Sequence, residues 1–184
     1  IIASLALVHV VNRVTVDSDL LRLDTEANLP TWASSLQFGL AGIACLLVAA
    51  ADRGGRGRWS GVSALLLVLS LDELATLHER LSAEIGAAVA EWIVQPLAGL
   101  AAIALLVAAG RQAGGVTRQL LLAAVGTLVA GHLAELATPA PEEGLVAAAL
   151  KIVEESLEML MGALVLAAAT GRVAALGYGR TPAS

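Results

Sequence analysis

Apolar residues in this chain fall in long unbroken runs, separated by short polar, glycine-rich or proline-containing stretches. Six runs stand out, at about residues 1–16, 31–51, 59–81, 92–109, 118–137 and 144–170. A helix that crosses the ~30 Å hydrocarbon layer of a bilayer needs about 20 mostly apolar residues. The second to fifth runs have that length, and the sixth is long enough to tilt or to project beyond the lipid. The strands of a membrane β-barrel would appear as alternating segments of ~10 residues, which this pattern lacks. The breaks carry turn chemistry: Asn28-Leu29-Pro30-Thr31, with Thr31 a candidate cap, Gly54-Gly55-Arg56-Gly57, Gly114-Gly115 and Pro139-Ala140-Pro141. The first run lacks the basic start and small-residue cleavage site of a removable leader, and because the chain begins with Ile and not Met it is expected to be a truncated span. The expectation is one all-α domain over residues 1–184, a polytopic bundle of six transmembrane helices.

Composition strengthens this reading. Of 184 residues, 58 % are hydrophobic and only 15 % charged, against ~45–50 % and ~25 % in soluble domains. Too few polar residues remain to clothe a soluble core, and a lipid solvent removes that need. Aromatics are scarce, so the helices must pack through Leu, Val, Ile and many Ala, which permit close approach. The lone Cys45 lies in an apolar run and reads as a small buried hydrophobe.

Charge then orients the bundle. Arg53, Arg56, Arg58, Arg111, Arg118, Arg172 and Arg180 all fall on one side of a six-helix path. Asp17, Asp19, Asp24, Glu26, Glu84, Glu91, Glu142 and Glu143 fall on the other. The positive-inside rule makes the basic side cytoplasmic, with both termini inside, as in a bacterial inner (plasma) membrane protein. Trp32, Trp59 and Trp92 stand at the starts of runs, as interfacial anchors do.

Three runs contain residues that lipid tolerates poorly. The third holds Asp72, Glu73, His78, Glu79 and Arg80, the fifth His132 and Glu135, and the sixth Lys151, Glu154, Glu155 and Glu158. At about 1.5 Å per residue, Asp72, His132 and Glu158 all lie roughly 20 Å from the basic side. An ionised carboxylate at the bilayer centre costs roughly 2.5–3.5 kcal/mol, so these groups are expected to face one another, water or a cation. On one continuous helix Asp72, Thr76 and Glu79 share a face, while Glu73 and His78 stand away from it. His132 and Glu135 are neighbours three residues apart, and Glu158 can share a face with Glu154 or Glu155.

Carboxylates with imidazole suit Zn, Fe or Mn. The candidate metal ligands are Asp72, Glu73, His78, His132, Glu135, Glu154, Glu155 and Glu158. Di-metal bundles use a Glu-x-x-His pair, and here the pair runs in reverse, His132-x-x-Glu135. A metal there could activate water or oxygen against a lipid-soluble substrate, with a free carboxylate moving protons. Two other classes fit the same residues: a cation or proton transporter, and a non-catalytic subunit whose acids bind a membrane partner or a second copy. A transporter needs polar groups in the basic half as well, and the sequence there is almost wholly apolar. No His-Glu-x-x-His pair, Ser-His-Asp set or phosphate loop stands out, and no basic patch for nucleic acid.

The strings Glu26-Ala27-Asn28-Leu29-Pro30-Thr31-Trp32, Ser70-Leu71-Asp72-Glu73-Leu74-Ala75-Thr76-Leu77-His78-Glu79 and Glu154-Glu155-Ser156-Leu157-Glu158 resemble those of a group of small, uncharacterised bacterial multi-pass membrane proteins. The resemblance implies a six-helix type of membrane fold and no particular activity.

Overall fold

The computed structural model describes residues 29–137 and 145–178, and every regular element among them is helical. The first apolar run, the acidic segment 17–28, the Pro139–Pro141 loop and Arg180 lie outside the described residues. The helices are α1 (Leu29–Ala51), α2 (Arg56–Ala75), α3 (Leu77–Ile85), α4 (Ala87–Ala113), α5 (Gly115–Ala137) and α6 (Leu145–Tyr178).

Four helices contain stretches with the length and apolar composition of membrane spans: Thr31–Ala51, Ala87–Ala113, Gly115–Ala137 and Val146–Gly177. Large apolar side chains also point outward along them, such as Leu36, Leu47, Leu97, Leu100, Leu133 and Val153. An apolar exterior of this extent is a membrane surface or an interface in a folded protein, not a water-facing one. α2 is 20 residues long but carries Arg56 and Arg58 at one end and Asp72 and Glu73 at the other.

The third run is not one helix. α2 ends at Ala75, Thr76 adopts left-handed φ 47° and ψ 46°, and α3 starts at Leu77. The shared face expected for Asp72, Thr76 and Glu79 therefore does not form. At the other boundaries the helices run longer than their apolar cores. α1 starts at Leu29, so Pro30 and Thr31 occupy its first turn, where proline's missing N–H costs no intrahelical bond. α4 begins ahead of Trp92, with a π-helical turn at Ala90–Val94 leading into the regular Gln95–Ala113. α6 is 34 residues, about 50 Å at 1.5 Å per residue, and so exceeds a ~30 Å hydrocarbon layer. α4 and α5 are joined across Gly114 and Gly115, whose φ values of 68° and 51° suit residues without a Cβ.

α1 packs against α2 and α6, α6 against α5, α5 against α4, and α4 against α2, which closes a ring. Small residues and hydroxyls make the closest seam, between α1 and α2. Ser35 Oγ donates to the Ser70 carbonyl at 2.7 Å, Ser70 Oγ returns a bond to the Ser35 carbonyl at 2.8 Å, and Ser63 Oγ donates to the Gly42 carbonyl at 2.8 Å. A Cβ on Gly42 would lie 2.9 Å from Leu67 Cγ, so the approach depends on glycine. In lipid such close contacts and interhelical hydrogen bonds replace the hydrophobic drive of a soluble core.

The buried core is lopsided. Cys45, Val48, Trp59, Leu66, Leu106, Leu121 and Val165 form one cluster. Apart from Leu66, at the middle of α2, they come from the C-terminal halves of α1, α4 and α6 and the N-terminal halves of α2 and α5, which is the end where most of the arginines gather. Two polar contacts tie that end. Arg172 Nη2 donates to Asp52 Oδ2 at 2.8 Å, and Arg58 Nη1 to Gln112 Oε1 at 2.8 Å. Towards the opposite end, buried apolar side chains thin out and ionisable ones take their place.

Candidate functional site

The ionisable residues singled out in the sequence occupy the end opposite the arginines, in three groups. The first depends on the break at Thr76. By turning left-handed there, the chain brings His78 back onto the last turn of α2. The His78 backbone N–H donates to Asp72 Oδ1 at 2.7 Å, and His78 Nδ1 lies 3.2 Å from Oδ1 and 3.1 Å from Oδ2. The expectation that His78 stands away from Asp72 is thus corrected. It assumed a continuous helix, and the residues meet because the helix stops. Asp72 also caps the start of α3 in effect, since Thr76 offers no side-chain bond there. The Glu79 side chain lies outside the described residues.

The second group is the i,i+3 pair expected on α5: His132 Nδ1 and Glu135 Oε2 are 2.9 Å apart, both well exposed. Next to His132, Gly131 is buried against α6. A Cβ there would meet Leu157 Cβ at 3.6 Å and the Glu154 carbonyl at 3.9 Å. The glycine therefore sets α5 directly against the α6 turn that carries the third group.

In that third group Lys151 Nζ reaches Glu154 Oε1 at 3.0 Å and Glu155 Oε1 at 3.4 Å. Glu154 is buried at 7 % exposure; it is neither solvated nor at the edge. One turn on is Glu158, half-buried and without a hydrogen bond to any described residue. Glu154 and Glu155 on its own helix, and Glu73 of α2, add like charge around it, and Lys151 opposes them. Lys151 is half-buried and bridges two of the acids.

Among the described residues no three His, Cys, Asp or Glu side chains converge closely enough to hold a metal ion by themselves. The groups are two carboxylate–imidazole pairs and one lysine-bridged acid cluster. Each of the two described histidines has Nδ1 engaged by a carboxylate, which leaves Nε2 as the ring atom open to a ligand or proton.

Sequence reasoning passed over the polar residues of α1. Ser34 and Ser35 are buried, and Gln37 Nε2 donates to the Met159 carbonyl, one residue beyond Glu158. The available signal was a single glutamine within an apolar run.

The sequence match spans nearly the whole chain, residues 1–173, and is to DUF8692, a domain of unknown function. The chain belongs to that family. No curated protein and no solved structure matches it.

Proposed function

We propose that this is a six-span membrane protein, its basic end at the cytoplasmic face of a bacterial inner membrane. In this reading its acidic half holds a divalent-metal centre that serves chemistry on a lipid-soluble substrate. One observation carries the metal reading: both described histidines have Nδ1 engaged by a carboxylate, at 2.9 Å in His132–Glu135 and 3.1 Å in His78–Asp72. Imidazoles that bind metal are commonly held this way, because the carboxylate fixes the tautomer and raises the basicity of the other nitrogen. His132 is the better candidate, since Gly131 seats it beside the acid-bearing turn of α6.

The roles follow from this geometry. His132 Nε2 would hold the Zn, Fe or Mn ion, with Glu135 orienting the ring, and the metal would supply the Lewis acid that activates water or oxygen. Glu158, with Glu155, Glu154 and Glu73 around it, accepts and returns the proton, while Lys151 offsets the acids' mutual repulsion. His78 with Asp72 is a second imidazole of the same kind. The close-packed basic half favours a site reached from one side over a conducting path, because a transporter must open to both.

Histidine-labelled protein in nanodiscs, titrated with Zn²⁺ and followed by ¹⁵N NMR, tests this. The expected result is a stoichiometric shift of the His132 Nε2 signal, with affinity falling ~10–100-fold in Glu135→Gln. A folded sample whose histidine signals ignore Zn²⁺, Mn²⁺ and Fe²⁺ would rule the metal centre out.

A further inference from the structure

At the basic end, an open groove of about 460 Å³ lies between α2 and α4, lined by Arg58, Ala108, Arg111 and Gln112. Its shape follows from close helix contact below it, where a Cβ on Gly61 would stand 2.7 Å from Leu105 Cδ2.

The groove's charge is what sets it apart. Arg58 is held in place by the bond from Nη1 to Gln112 Oε1 at 2.8 Å. That bond uses one of five guanidinium N–H donors and neutralises no charge. Arg111 is exposed in the last turn of α4 and forms no ion pair among the described residues. Asp52, the one acid described at this end, is taken by Arg172 at 2.8 Å. Two guanidiniums therefore share one groove without a carboxylate. Their planar forks match the oxygens of a phosphate, which can accept two parallel hydrogen bonds from each.

The surface continuing from the groove towards the middle of the bundle is apolar. Val68 lies seven residues along α2 from Gly61, on the same face, and Leu97 lies eight residues before Leu105 on α4; both are exposed. A phosphate bound above this strip would have hydrocarbon below it, which is how a phospholipid is built. We propose that the α2–α4 groove binds the phosphate headgroup of an anionic phospholipid, with its acyl chains lying along the strip that contains Val68 and Leu97. The proposal needs only that the bundle sits in a bilayer, and it is independent of the metal centre.

The full chain, released from mixed phosphatidylglycerol and phosphatidylcholine nanodiscs, can be weighed by native mass spectrometry. The expected result is retention of phosphatidylglycerol over phosphatidylcholine. Arg111→Gln and Arg58→Gln should each reduce that preference about fivefold, the worth of one basic residue at an anionic surface. Arg53→Gln, an exposed arginine outside the groove, should leave it unchanged. Equal losses in all three variants would reduce the effect to diffuse charge and overturn the proposal, as would no preference in the wild type. Displacement of the retained lipid by inorganic phosphate at equal concentration would overturn the lipid assignment, because a headgroup held together with its chains must outcompete the free ion. Melting of each variant in pure phosphatidylcholine should match wild type; a variant that melts early is replaced by its lysine counterpart, which keeps the charge and loses the fork.

Discussion

Thr76 is the residue on which the candidate site turns. It is the one non-glycine residue with positive φ among those described, and a β-branched side chain is poorly suited to that conformation. The left-handed region costs an L-residue roughly 1–2 kcal/mol. The Asp72–His78 contacts set against that cost: a backbone N–H and a ring nitrogen, both on one carboxylate. Thr76→Gly removes the strain and, since the hydroxyl caps nothing, removes no bond. Allowing ~0.5–1 kcal/mol for glycine's greater unfolded freedom, the variant should be as stable as wild type or up to about 1.5 kcal/mol more so. Asp72→Asn should show the reverse, with faster amide exchange confined to Leu77–Ile85 in hydrogen-exchange mass spectrometry. If both variants exchange like wild type, the carboxylate does not hold the turn.

The same residue shows why part of the site was not legible in the sequence. Nothing in Leu74-Ala75-Thr76-Leu77 signals a stop: there is no glycine, proline or asparagine, so a helical reading ran on to Leu81 and put His78 on the wrong face. The i,i+3 pair His132 and Glu135 was legible because it depends only on local helical spacing. So was the grouping of Glu154, Glu155 and Glu158. Lys151 meets Glu154 and Glu155 at the same local spacing of three and four residues, whereas the contact of His78 with Asp72 exists only because the helix stops between them.

At the scale of the element, the seam between α1 and α2 is the most demanding contact. Its three hydroxyl-to-carbonyl bonds are each of a kind worth only about 0.6 kcal/mol in a membrane bundle, and the greater constraint is space. Gly42→Ala places a Cβ 2.9 Å from Leu67 Cγ and 3.3 Å from the Ser63 carbonyl oxygen. One obstacle is a side chain that can shift, the other backbone that cannot easily, so the expected cost is about 1–3 kcal/mol. Ser63→Ala should cost less than 1 kcal/mol. Equilibrium unfolding in mixed micelles would rank the two, and a Gly42→Ala variant as stable as wild type would show that the helices can part at no cost. Four of the six predicted helices, their apolar extent and the glycine turn between α4 and α5 were readable from pattern alone, because lipid leaves so few ways to satisfy a backbone. Helix ends were less readable. α6 continues past the apolar run to Tyr178, where its arginine meets Asp52.

For the molecule as a whole, that contact joins the start of the first described loop to the end of the last helix, 120 residues apart in sequence. The Arg172 guanidinium holds the Asp52 carboxyl below its ordinary value, helped by the Gly55 and Gly54 amides and partly opposed by burial. A carboxyl lowered by folding stabilises the native state at pH values above its unfolded value, and that contribution is lost as the pH falls through the folded one. Melting temperature in detergent should therefore decline on acidification below the usual carboxylate range. In Asp52→Asn the molecule should start less stable at neutral pH and lose less over the same interval. Parallel pH profiles for the two proteins would show that the pair contributes nothing.

The uneven core divides labour along the bundle's length. Apolar interlocking and the arginine contacts are concentrated at one end, so that end acts as the hinge pin from which the helices extend. At the other, the ionisable contacts stand where that interlocking is sparse, and what each one holds is local, as Asp72 holds the turn at Thr76. A substitution at the roots of the helices therefore loosens the bundle as a whole, whereas one at their acidic tips loosens only the turn to which it belongs.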